Sequence, residues 1–353
     1  MERCFAVLTS RTSRHLAGWA LRATGPAVLA VLLIRVVDYG ELRDLLGDLR
    51  VEWLMAALGA MQLIILLRTL RWMELHRAFG LPPAGFIYQL RLAYATSVAT
   101  VVLPQIINPL TRFALLVQDG YRAKRALAGS ALEKALELVA YVAFGLYGSI
   151  ILASSFGGLL WWAIAVAVAT AAGSAALFAQ RHRLASIATT LIGRMPGLGE
   201  RLGDDREEVA QEIVSLHRDI WLRLAAWSLA IAMTQATMLF LLTRSLGVDL
   251  SYHYIVAVWG VIAFSLLLPL TVNGIGTREA ILVVAFSAAD RSTDAAVAIG
   301  LLTLAIVAVG SSPGIVEWLR RFFIGGARQG TDESNGIAIA TQANAPPHGE
   351  RRP

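Results

Sequence analysis

Leu268-Pro269-Leu270-Thr271-Val272-Asn273-Gly274-Ile275-Gly276-Thr277-Arg278-Glu279 interrupts an apolar stretch with a proline, two glycines and a pair of opposite charges. An earlier apolar stretch breaks in the same manner at Leu103-Pro104-Gln105-Ile106-Ile107-Asn108-Pro109-Leu110-Thr111-Arg112. Pro104 and Pro269 are 165 residues apart, Asn108 and Asn273 also 165, and Arg112 and Arg278 are 166. Proline removes a backbone donor and breaks a helix. In lipid, the groups so freed must find partners or line a cavity. Paired interruptions in two halves of a membrane chain point to a binding site near the midplane of a transporter built by internal duplication.

Around the breaks, the composition is that of a membrane protein. Of 353 residues, 56% are hydrophobic and 16% charged, where a soluble domain carries about 25% charged residues. Mean hydropathy is +0.60, and several stretches exceed the ~20 apolar residues needed to cross a bilayer. The expected fold is all-α, a polytopic bundle with six full spans near 19–37, 51–72, 126–153, 158–180, 221–244 and 294–319. Two interrupted segments, 86–117 and 254–287, lie between them, with breaks near 104–112 and 269–279. Residues 1–18 form an N-terminal arm, 19–323 the membrane domain and 324–353 a tail. From Gly325 the chain turns to Gly, Ala, Gln and Asn, and such a tail buries too little apolar surface to fold. The first apolar run reads as an uncleaved span, since no small-residue cleavage site closes it.

The net charge of +6 reflects arginines in short loops, a positive-inside bias. No basic domain with interleaved aromatics suggests nucleic acid. The bias places the N-terminal arm, the loop holding Arg71 and Arg77, the connection 181–219 and Arg320-Arg321 in the cytoplasm of an inner membrane. Both termini are then cytoplasmic. With this orientation Arg122, Lys124 and Arg125 stay inside only if 86–117 dips in and returns. The same reasoning makes 254–287 a dip from the opposite face, an inverted repeat suited to alternating access. A full crossing followed by a short surface helix is the other arrangement compatible with hydropathy. Arg35 and Arg68, near span ends, read as snorkelling, and Trp19, Trp53, Trp72 and Trp161-Trp162 as an aromatic belt.

Charge inside the membrane is costly and marks function or pairing. Glu133 and Glu137 share a helix face, with Lys134 beside them. Either they sit at headgroup depth paired with Lys134, Arg125 or Arg112, or they line a polar cavity and hold basic partners or relay protons. Arg112 and Arg278 each follow a break. A guanidinium fork matches a phosphate bidentately, and a half-helix starting after Asn108 or Asn273 adds free N–H groups to such an anion site. Gly274 and Gly276 let the backbone approach a ligand. Alternatively, Arg278 and Glu279 satisfy each other as structural glue. The six histidines show no metal-ligand spacing, there is no phosphate-binding Gly-Lys-Ser/Thr loop, and the lone Cys4 excludes a multi-cysteine site. Neither a metal nor a cofactor is expected.

At these residues the sequence resembles the lysylphosphatidylglycerol synthase transmembrane region, a flippase-like family of polytopic membrane proteins also called UPF0104. Leu268-Pro269, then Asn273-Gly274-Ile275-Gly276-Thr277-Arg278-Glu279-Ala280 and the later Ala295-Ala296, carry the stronger likeness. Leu103-Pro104, Arg112 and Glu133-Lys134 with Glu137 fit in outline. The family's first break is richer in glycine and carries an acid before its arginine, where this chain has Gln105-Ile106-Ile107-Asn108-Pro109. The resemblance spans roughly 20 to 325. It implies a lipid-translocating or lipid-presenting role, linked in some members to an aminoacyl-transfer domain or to glycolipid, polyprenyl-phosphate or hopanoid pathways. No such transfer domain is visible in this sequence, so synthesis of a lysyl-lipid by this chain is not expected.

The expected function is a lipid flippase or transporter that moves or presents an anionic, phosphate-bearing lipid or glycolipid across the inner membrane. Its ligand would be an anionic phospholipid, a polyprenyl-phosphate glycolipid or a hopanoid. Arg112, Arg278, Asn108, Asn273, Gly274 and Gly276 would form the headgroup sites, with Glu133, Lys134, Glu137 and Glu279 as charge partners or coupling groups. The alternative is a non-transporting scaffold for an enzyme of lipid modification or of a hopanoid or glycolipid pathway.

Overall fold

The computed structural model describes residues 40, 47–102, 108–153, 213, 216–266 and 274–321. The expected spans 19–37 and 158–180, most of the 181–219 connection, the tail, Pro104, Pro269 and Asn273 lie outside the described residues, as does the side chain of Asn108.

Every element among the described residues is helical: α1 Val51–Ala78, α2 Phe86–Val102, α3 Asn108–Gln118, α4 Ala123–Ala153, α5 Arg218–Ser245, α6 Tyr252–Ser265, α7 Thr277–Ala288, α8 Thr293–Ser311 and α9 at 313–321. α1, α4, α5 and α8 are long and apolar enough to cross a membrane. At 28 residues α1 is about 42 Å long, more than the ~30 Å hydrocarbon core requires. Large apolar side chains also stay exposed on the outside, among them Met55, Leu63, Leu229, Val284 and Val309. A bundle apolar within and without is what a lipid solvent selects.

The ends of the helices follow local chemistry. α1 stops where Gly80 takes φ +54° ahead of Pro82-Pro83, since proline cannot continue a helix. Ser251 caps α6 by accepting from Tyr254 N–H at 3.2 Å, and Ser292 caps α8 by accepting from Asp294 N–H at 3.2 Å. Two expectations need correction here. α1 runs to Ala78, so Arg71 belongs to the helix rather than to a cytoplasmic loop. The span expected at 294–319 is two helices, because Pro313 follows Ser312 and has no N–H to donate to the carbonyl of the preceding turn.

The order of helices recurs along the chain. α1 to α4 start at 51, 86, 108 and 123, and α5 to α8 at 218, 252, 277 and 293, shifts of 167, 166, 169 and 170 residues. α1 and α5, which correspond under this shift, pack antiparallel along their length. Arg50 N–H donates to the Ser245 carbonyl at 2.8 Å at one end. Arg71 Nη1 donates to Ser228 Oγ at 3.1 Å further along, and Arg223 meets Glu74 at 3.1 Å near the other end.

Glycines bring the two sets of helices together. A methyl at Gly148 of α4 would collide with the Ala257 carbonyl of α6, and one at Gly260 with the Phe144 carbonyl. At Gly145 it would lie 2.6 Å from Phe264 Cβ. Gly314 of α9 meets the Tyr94 carbonyl of α2 in the same way. Gly148 and Gly314 are 166 residues apart, close to the shift between the helices. Small residues at such contacts let backbones approach where lipid supplies no hydrophobic drive.

Candidate functional site

The first break assembles a charged cluster between α1, α3 and α4. Arg112 lies in the second turn of α3 and is only 3% exposed; Arg71 of α1 is 2% exposed. Both reach one carboxylate oxygen, Glu133 Oε1 of α4: Arg71 Nη2 at 2.6 Å and Arg112 Nη1 at 3.8 Å. The Arg112 guanidinium also lies 4.5 Å from the centroid of the Trp72 ring, a cation–π contact strengthened by the lack of water. One turn along α4, Glu137 accepts from Lys134 Nζ at 2.9 Å and from the Tyr141 hydroxyl at 3.1 Å, and Arg68 stands 4.0 Å from it. Glu133 and Glu137 share a face of α4 because they are four residues apart; Arg68 and Arg71, three apart on α1, face them.

Donors remain unused in this cluster. The Nε atoms of Arg71 and Arg112 are buried without a hydrogen-bond partner. A buried donor is favourable only when it is met, and these two, on arginines that converge on one carboxylate oxygen, are available to an incoming acceptor.

From Arg112 an aromatic path leads toward the loop ends. Trp72 packs edge-on to His76 at 5.9 Å, and His76 edge-on to Tyr121 at 5.4 Å. Tyr121 borders a cleft of about 330 Å³ with Gly80, Pro82, Arg122 and Arg125. Burial holds the Tyr121 phenol above its ordinary range and Asp119 adds to the effect, so it stays a neutral hydrogen-bonding group. Beside it Asp119 accepts two hydrogen bonds from Arg321 of α9, each 2.8 Å. These contacts tie the end of α3 to the end of the bundle.

The second break is built differently. Gly274 and Gly276 take φ +73° and +85°, a conformation open to glycine and strained for other residues. They turn the chain into α7. Glu279 then folds back on the helix start: its Oε2 accepts from Gly276 N–H at 2.6 Å, and its Oε1 accepts from Arg278 Nε at 3.1 Å and Nη2 at 2.9 Å. Gly300 of α8 makes room for this carboxylate, since a methyl there would lie 2.6 Å from Glu279 Cγ. Arg278 and Glu279 therefore compensate each other.

Arg112, Glu133, Lys134 and Glu137 thus come together, while Arg278, Glu279, Gly274 and Gly276 form a separate, self-paired group. Arg125, considered as a partner for the α4 glutamates, donates to the Gly80 carbonyl at 2.9 Å. Three residues of the first site were misplaced by sequence reasoning. Arg68 does not snorkel outward but faces Glu137. Arg71 is buried against α4 and α5, and Trp72 is fully buried under Arg112 rather than exposed as an interfacial belt requires. The missed signal was spacing: Arg68 and Arg71 at i, i+3 can meet Glu133 and Glu137 at i, i+4 when two helices pack side by side.

Among the described residues no group of three or more His, Cys, Asp or Glu side chains is placed to hold a metal ion. No match is found among curated proteins or among solved structures. The model of one family, described as the lysylphosphatidylglycerol synthase TM region, matches residues 19–312. That stretch takes in both breaks and the charged groups at each of them, and on it the chain belongs to this family.

Proposed function

We propose that the chain carries a phosphate-bearing lipid between leaflets and holds its headgroup at the Arg71–Arg112 site of the first break. Family membership carries a lipid-flippase-type transport function in a multi-pass protein of the bacterial inner membrane. The observation that supports the headgroup assignment is the convergence of two buried arginines on a single carboxylate oxygen, each with its Nε unpartnered. Phosphate oxygens would accept from both, and charge-assisted hydrogen bonds of this kind are roughly twice as strong as neutral ones. Asn108, at the start of α3, belongs to the same site, where N-terminal N–H groups favour an anion. Glu133, Lys134 and Glu137 hold the arginines in position between lipid encounters.

Arg278 is the second anchor in this reading, with Asn273, Gly274 and Gly276 shaping the backbone around it and Pro104 and Pro269 opening the two breaks. A lipid phosphate reaching Arg278 displaces Glu279, so the second site binds more weakly than the first. The recurrence of helix order and the antiparallel pairing of α1 with α5 support an inverted repeat, the architecture associated with rocking about a midplane site. On this reading both interrupted segments dip into the membrane from opposite faces, and both termini are cytoplasmic. The apolar cavity of about 450 Å³ among Phe144, Tyr147, Met233 and Val256 is of a size to take hydrocarbon.

The test is leaflet translocation of fluorescent phospholipid and polyprenyl-phosphate analogues in proteoliposomes. Headgroup-selective movement is expected for the wild-type chain. Arg112→Gln abolishes it at unchanged thermal stability, and Arg278→Gln weakens it. Absence of movement for every anionic lipid by well-folded protein overturns the transporter and leaves a scaffold for a lipid-pathway enzyme.

A further inference from the structure

Among the described residues the charges at the first break do not balance. Six ionised side chains meet there: Arg68, Arg71, Arg112 and Lys134 against Glu133 and Glu137. Four positive charges and two negative ones leave a surplus of two. The nearest further carboxylate along α1, Glu74, is engaged by Arg77 at 3.8 Å and Arg223 at 3.1 Å and has no charge to spare. A surplus of this size is severe where two of the arginines are almost fully buried, because uncompensated charge in a medium of low dielectric is strongly unfavourable. The second break shows the contrast: Arg278 and Glu279 sum to zero, and the Glu279 carboxylate already takes the N–H of Gly276.

We infer that the first site selects a headgroup bearing two negative charges, a phosphate monoester, over a singly charged phosphodiester. The inference rests on the headgroup reading given above and adds the ionisation state of the ligand. A phosphomonoester carries about −1.5 to −2 at pH 7, with its second ionisation near pH 6. It also presents three terminal oxygens, enough to accept from Arg71 Nε and Arg112 Nε and still face Lys134. A diester has one negative charge and two such oxygens, which leaves one positive charge of the cluster unmatched.

Binding to the full chain in phosphatidylcholine nanodiscs at pH 8 tests this. The probes are phosphatidic acid and phosphatidylmethanol with identical acyl chains, so that a methyl ester removes one charge and little else. Phosphatidic acid is expected to bind about tenfold more tightly or better, the effect of one additional charge-assisted hydrogen bond. The ratio should collapse in Arg112→Gln, where the surplus falls to one, and rise in Glu137→Gln, where it becomes three. Lys134→Gln, at the more exposed edge of the cluster, repeats the Arg112→Gln test in a variant with less buried charge to disturb. Equal affinity for the two lipids, with both lost in Arg112→Gln, overturns the dianion selectivity and leaves the headgroup site standing. Binding of neither lipid, or binding indifferent to all three substitutions, overturns both.

Discussion

Arg112 and Arg71 share Glu133 Oε1, and the surplus of positive charge around that oxygen makes the two kinds of loss unequal. Removing the carboxylate leaves buried arginines without their common counter-ion, whereas removing one arginine relieves repulsion. Glu133→Gln is therefore expected to destabilise the fold by about 3 kcal/mol, the scale for breaking a buried pair, and Arg112→Gln by much less. Thermal unfolding of the two variants in the same detergent compares them; equal losses would contradict the surplus. Much of this site could be read from residue types: Arg112, Glu133, Lys134 and Glu137 stand out as charges in apolar sequence. Arg71 and Trp72 did not, because hydropathy ends a span at the first cluster of arginines, while the helix continues wherever its polar groups find partners inside the bundle.

The helices are held together at their glycines. Gly148 and Gly260 bring α4 and α6 so close that a side chain on either meets the carbonyl of the other helix. Gly148→Leu is expected to cost about 3 kcal/mol, the upper range for overpacking, with loss of monodispersity in size-exclusion chromatography. Ser149→Leu, one residue away and half-buried, should be tolerated. An unchanged Gly148→Leu protein would mean that the two helices separate readily at this point. At this scale the sequence expects breaks at Pro104 and Pro269, which lie outside the described residues; separate helices, α2 and α3, then α6 and α7, stand on either side of them. The break at Ser312-Pro313 was not legible, since the apolar run continues through it and hydropathy is blind to a missing N–H.

The antiparallel pairing of α1 and α5 fixes which ends of the molecule share a membrane face. The start of α1 and the end of α5 lie together, joined by Arg50 and Ser245, as do the opposite ends, joined by Glu74 and Arg223. In a Cys4→Ser background, Asp48→Cys and Asp249→Cys should react with an impermeant thiol reagent from the periplasmic face. Pro83→Cys and Asp219→Cys should react only from the cytoplasmic face. Labelling of all four from one face would refute the inverted arrangement; reversal of both pairs would keep it and turn the protein over in the membrane.

Composition and the length of the apolar stretches determined by themselves that this chain is an α-helical, polytopic membrane bundle. Lipid leaves few other ways to satisfy a backbone, so those properties follow from local sequence. Which charges meet was decided only in three dimensions. Arg68 and Arg71 are more than 60 residues from Glu133 and Glu137 along the chain, and nothing in either segment names the other. Packing of α1 against α4 and α3 brought the four together with Arg112, while Glu279 took the neighbouring Arg278 for itself. The difference between a charged site at one break and a neutral pair at the other therefore arises from side-chain geometry, which periodicity and hydropathy do not encode.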